Sequence, residues 1–159
     1  MSGPHLATLL VHVLSAAVLF GTGAGIAFFM LGAHRTGDAK TVAAVARLVV
    51  IADFLFTATA VVVQPLSGAA LIVLAGYDPF EPWLLAAYAL YVLTGLCWLP
   101  VVRIQMRMRR LAEAAAADRV ALPAEYHRLY RMWFSLGWPA FAAVVGIYLL
   151  MLAKPTFGG

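Results

Sequence analysis

Charge is scarce in this sequence. Charged residues make up 11% of the chain against 64% hydrophobic, whereas a soluble domain has roughly a quarter of its residues charged. That balance excludes an ordinary water-soluble domain. Cysteine is scarcer still: Cys97 stands alone, so neither an intrachain disulfide nor a dithiol redox pair is possible. Within an apolar run it reads as a buried small hydrophobe. No phosphate-binding glycine loop, HExxH, CxxC or Ser/His/Asp arrangement occurs, which removes soluble-type hydrolase, kinase and zinc-protease readings. Met1 to Pro4 lacks Lys and Arg, and the apolar run that follows is too long for a cleaved signal, so the first hydrophobic segment is expected to be retained.

What the 159 residues do contain is four long apolar stretches, about Leu6 to Ala33, Leu48 to Gly76, Trp83 to Val102 and Met132 to Ala153. Each reaches the roughly 20 residues that a helix needs to cross a ~30 Å hydrocarbon core. The runs are continuous rather than alternating, and four strands cannot close a barrel that satisfies its backbone in lipid. The expected fold is therefore all-α: one integral membrane four-helix bundle, 1–159, with spans at about 6–33, 48–76, 83–102 and 132–153. Between Leu111 and Leu122 the alanine-rich run ending at Pro123 predicts a helical extension closed by a turn. It is too short to form a soluble domain of its own.

Ten of the eleven basic residues fall in two connections, Arg35, Lys40 and Arg47 in the first and Arg103, Arg107, Arg109, Arg110, Arg119, Arg128 and Arg131 in the third. The second connection carries Asp78 and Glu81 instead. The positive-inside rule puts both basic loops in the cytoplasm and both termini outside, N-out/C-out, in a bacterial inner (cytoplasmic) membrane. Lys154 is the exception, at a depth from which it can snorkel to the interface. The net charge of +4 does not argue for nucleic acid, because juxtamembrane arginines serve orientation and contact with anionic headgroups.

Polar groups inside the spans carry the functional information. Asp53 lies about one and a half turns inside the second span, and Arg103 closes the third from the same side. Two readings stand, an Asp53–Arg103 ion pair or two groups that each reach headgroup water. Asp53, Thr57, Ala60, Gln64 and Gly68 share one helical face, which should look into the bundle. His12, with Ser15 three residues on, sits about 9 Å inside the first span. At comparable depth come Tyr88, Tyr91 and Tyr148, which predicts either a polar, aromatic pocket around His12 or a core histidine satisfied by one tyrosine hydroxyl. Met151 is a candidate second axial ligand beside His12, with simple packing as its other reading. His34 and His127, from the ends of the first and fourth helices, are placed to meet at the other side. Ala17, Gly21 and Gly25 repeat at four-residue spacing, as an internal contact or a homodimer seam. Pro65, Pro100 and Pro139 each free a backbone carbonyl within a span.

The segments Leu10-Val-His12-Val-Leu-Ser15, Phe20-Gly21-Thr22-Gly23, Gln64-Pro65-Leu66-Ser67-Gly68, Cys97-Trp98-Leu99-Pro100 and Gly137-Trp138-Pro139 together resemble the bacterial integral membrane proteins grouped as domain of unknown function 2269, over nearly the whole chain. More distantly, the architecture is similar to the haem-dependent bacterial protoporphyrinogen oxidases and the copper-resistance D proteins, which likewise have a first-helix histidine. That likeness implies haem b binding or electron transfer at the membrane, with His12 as the matching metal ligand and a membrane redox partner. The third span lacks the intramembrane lysine of the oxidase pattern, which counts against that specific reaction. The competing expectations are a non-enzymatic carrier or sensor of a small apolar molecule or of copper, and an accessory subunit of a membrane complex. A homodimer is the expected assembly.

Overall fold

The computed structural model describes residues 3–155, and these form four long helices: α1 (Gly3–Thr36), α2 (Ala39–Ala75), α3 (Pro82–Asp118) and α4 (Ala124–Ala153). Each is long and apolar enough to cross a membrane. The ends follow local chemistry. Gly37, at φ +67°, reverses the chain after α1, and the Asp38 carboxylate then caps α2 by accepting from the Thr41 backbone N–H at 2.8 Å. Gly76, at φ +71°, closes α2 while the Tyr77 N–H returns to the Ile72 carbonyl at 3.1 Å. Pro82 opens α3 at its first turn, where its missing N–H costs nothing. The alanine-rich run continues α3 unbroken to Asp118, and the turn before Pro123 follows, as its composition predicts.

The helices pack in a ring, each against the next and α1 against α4. Packing is uneven along the ring's axis. Toward the end that carries the arginine-rich connections, here the basic half, a single core gathers Met30, Val42, Ala46, Val49, Met108, Ala112, Tyr126 and Trp133 with their neighbours. Alanines at Ala39, Ala43, Ala46, Ala112 and Ala115 face this core and let α2 and α3 approach closely. In the other, open half the helices associate as two pairs. Ser15, Ala60 and Ser67 are buried between α1 and α2, and Trp83, Leu84, Ala87 and Ala143 between α3 and α4. Between the pairs run Phe20 of α1, 5.1 Å from the Phe141 ring and 5.8 Å from the Tyr148 ring of α4, a hydrogen bond from Tyr91 to α2 and, at the helix ends, one from Lys154 after α4 to the Tyr77 hydroxyl after α2.

The halves meet at a π turn in α2, Asp53–Thr57, where the Ala58 N–H reaches back five residues to the Asp53 carbonyl. Such single-turn bulges insert a residue into an α-helix and recur at functional sites.

Candidate functional site

Two polar sites lie along the inward face of α2, one in each direction from its centre. In the open half, His12 Nδ1 lies 2.9 Å from the Ser67 hydroxyl oxygen. That hydroxyl has one proton, and it is committed to the backbone, to the Val63 carbonyl at 2.7 Å or the Gln64 carbonyl at 3.2 Å. With that proton on a carbonyl, Ser67 accepts and the imidazole proton is assigned to Nδ1. That assignment leaves the Nε2 lone pair free, the form in which histidine ligates a metal. Gly68 completes the seat: a Cβ there would stand 3.2 Å from His12 Cε1, so a side chain at 68 would push the ring. Ser15, one turn on, donates to the Ala60 carbonyl at 3.3 Å, and the Gln64 side-chain oxygen is buried with no partner.

The histidine is held by a serine and not by a tyrosine. Tyr91 instead donates to the Val61 carbonyl, which is the group four residues before Pro65 that loses its helical N–H. Tyr91 thus replaces the hydrogen bond that the proline removes. Tyr88 is exposed and contributes nothing to the seat of His12. Tyr148 packs edge-on against Phe20, and Met151 is half-buried near the end of α4. His12, Ser15 and Gln64 are thus brought together at the α1–α2 seam, and Tyr148 borders the same half. Ser67 is the member that sequence reasoning missed, although it lies three residues after Gln64 on the same face.

The second site surrounds Asp53, which is 4% exposed. The expected ion pair is not formed. Arg103 is exposed, and among the described residues the only salt bridges are Arg47 and Arg109 to Glu113 and Arg107 to Glu125. Two neutral donors take the carboxylate instead. Trp98 Nε1–H donates to one oxygen at 3.2 Å, and the Gln105 amide donates to the other at 3.0 Å once its orientation is set by Trp133 Nε1–H, which donates to the amide oxygen at 3.1 Å. The physical reason is register: Trp98 and Gln105 are two turns apart on one face of α3 and point inward, while Arg103 lies off that face and reaches out to water. A lone charge at mid-membrane costs about 2.5–3.5 kcal/mol on insertion scales, and neutral N–H donors offset part of it. Thr57, next on the face, is buried with its hydroxyl unpartnered.

At the basic end, His34 and His127 do meet, with ring centroids 5.6 Å apart. His34 also stacks on Tyr130 at 3.6 Å. His34 Nδ1 and the hydroxyls of Tyr126 and Tyr130 are buried without partners. No group of three or more His, Cys, Asp or Glu side chains is arranged to hold a metal ion among the described residues.

A family model described as a predicted integral membrane protein, DUF2269, matches residues 6–155. The chain belongs to the DUF2269 family. The match takes in all four helices, so the bundle as a whole is the DUF2269 unit and the protein is an integral membrane protein. No curated protein and no solved structure matches the chain.

Proposed function

We propose that this DUF2269 bundle binds haem b in its open half, where His12 would be the protein ligand to the iron, and serves a redox function in the membrane. The observation that supports this most is the His12 Nδ1–Ser67 hydrogen bond, which with Ser67 as acceptor leaves the other imidazole nitrogen free for a ligand. A bare copper ion needs several protein ligands, and no group of three or more His, Cys, Asp or Glu is gathered among the described residues to supply them. Haem brings four nitrogens of its own and asks the protein for one or two. The donor set fits that demand. His12 would hold the iron through Nε2, and Gln64, with its unsatisfied amide oxygen, and Ser15 are the polar groups beside it. Met151 of α4 is the candidate for a second ligand. When bound, haem supplies one-electron chemistry. The chain's own part is to hold the imidazole through Ser67 and leave room for its ring through Gly68.

The same proposal carries the orientation and assembly. The basic end lies in the cytoplasm of a bacterial inner membrane by the charge rule, which puts His12 near the outer surface. The Ala17, Gly21 and Gly25 stripe finds no internal partner: a Cβ at Gly21 meets nothing within 4 Å, and one at Gly25 meets only Phe29 of the same helix. A second copy packing there would make the homodimer.

An absorption spectrum of the detergent-purified protein, oxidised and then dithionite-reduced, with a pyridine haemochrome assay, tests this directly. We expect a Soret band, lost in His12→Ala and kept in His34→Ala. A colourless protein from cells supplied with haem precursor overturns it and favours the carrier of a small apolar molecule. That second reading draws on the apolar groove of about 610 Å³ between α3 and α4, lined by Leu90, Gly146, Leu149 and Leu150 among others, which contains no titratable group.

A further inference from the structure

We propose that Asp53 is a reversibly protonated carboxyl, charged with protons from the basic end of the bundle along a file of buried polar side chains. The first support is electrostatic isolation. On α2 no other titratable side chain occurs between Arg47 and Tyr77; on α1 none occurs between His12 and His34, and on α4 none between Arg131 and Tyr148. On α3, Cys97 is the only one between Tyr91 and the exposed Arg103. The carboxylate therefore faces indole and amide N–H groups and no cation.

The second support is that the site accommodates both protonation states without rearrangement. Ionised, each oxygen accepts one N–H. Each oxygen keeps a further lone pair for a proton, and the Thr57 hydroxyl lies buried one turn along the same face, where a hydroxyl can donate to the carboxylate or accept from the acid. Trp133 holds the Gln105 amide in the donating orientation, so the donor set does not invert when the charge changes. The step balances as hydronium plus carboxylate giving carboxylic acid plus water. Nothing is oxidised or reduced.

The third support is a route. From Gln105 the polar stretch runs past Trp133, whose indole N–H donates without passing a proton on and whose ring lies 5.8 Å from Tyr130, to His34 stacked on Tyr130, with Tyr126 and His127 beside it. Three atoms on this stretch, His34 Nδ1 and the hydroxyls of Tyr126 and Tyr130, are buried and unpartnered. Tyr126 is fully buried and Tyr130 is 7% exposed, so these are interior groups. Buried polar atoms of this kind are ordinarily met by water, which also passes protons. Apolar side chains would have closed this end of the core equally well.

Infrared difference spectroscopy of the protein in lipid nanodiscs, titrated across pH, tests the proposal. We expect a protonated-carboxyl C=O stretch that appears on acidification, is lost in Asp53→Asn and shifts in frequency in Asp53→Glu, which covers the case in which the asparagine variant misfolds. On transfer to heavy water, its deuterium shift should be slowed in Tyr130→Phe and His34→Ala. A carboxyl that never changes protonation state while the protein stays folded overturns the proposal, as does a deuterium shift indifferent to both basic-end variants. Colour at His12 and titration at Asp53 are separate readouts, so either proposal can fail alone.

Discussion

The basic half and the open half are made from the same four helices, yet they are built on different principles. In the basic half, alanines bring α2 and α3 together, and large side chains such as Met30, Met108 and Tyr126 fill what remains, each at most 1% exposed. In the open half, contact between the helix pairs comes down to a few aromatic rings, the Tyr91 hydroxyl and, at the end of α4, Lys154 on Tyr77 just past α2. Lipid chains are as apolar as leucine, so hydrophobicity alone does not hold helices together in a membrane, and packing and hydrogen bonds decide. The difference shows how one bundle can pair a tightly filled base with a half held by few contacts.

The largest effect that could break this comparison is loss of a filled core position. Tyr126→Ala should destabilise the protein by about 3–5 kcal/mol, the range for an aromatic cavity, whereas Leu149→Ala, on a 62% exposed residue of the open half, should stay within about 0.5 kcal/mol. Unfolding titrations in mixed micelles measure both, and equal losses would mean that the halves do not differ. Overpacking comes next. Ala112→Leu, at a position with no exposure, should cost about 1–3 kcal/mol, while Gly21→Leu, with open space around its Cβ, should leave monomer stability unchanged.

A smaller effect sharpens the account of the open half. Tyr91→Phe leaves the Val61 carbonyl without the donor that stands in for Pro65, at about 1–3 kcal/mol for an unsatisfied group, and should raise amide hydrogen exchange in α2 beyond the π turn more than before it. Smallest is an acid effect at the start of α2. The Thr41 hydroxyl and backbone N–H hold the Asp38 carboxyl below its ordinary value. A depressed carboxyl stabilises the fold above its unfolded pKa and loses that contribution as pH falls through the folded one, so acidification should fray the first turn of α2 slightly, and Asp38→Asn should abolish that response. Amide exchange at Thr41 against pH reads it out.

Much of this was legible in the sequence. Continuous apolar runs determined the four helices, and the i, i+4, i+7 face of α2 correctly predicted that Asp53, Thr57, Ala60 and Gln64 look inward. Three features were not legible, for one shared reason. Depth along a helix can be counted from residues, but azimuth relative to a neighbouring helix cannot. Arg103 and Asp53 match in depth, yet Gln105 and Trp98 are the residues that face the carboxylate. Tyr88 and Tyr91 lie one turn apart, yet one faces outward and the other caps a proline-freed carbonyl. The small-residue stripe of α1 is regular, yet it faces away from the bundle.

The π turn has a further consequence, for the phase of α2. An added residue rotates everything beyond it by about 100° relative to an unbroken helix of 3.6 residues per turn. The strand of contacts that joins α2 to α3 in one half and the strand that seats His12 on Ser67 in the other are therefore set by the length of the segment from Asp53 to Thr57 as much as by its side chains. Deleting a single apolar residue there, such as Leu55, would close the π turn to an α turn and keep the phase of Ser67 and Gly68, whereas the undeleted sequence wound as an unbroken helix would turn them away from the imidazole. The phase between the two sites is thus carried by the π turn itself.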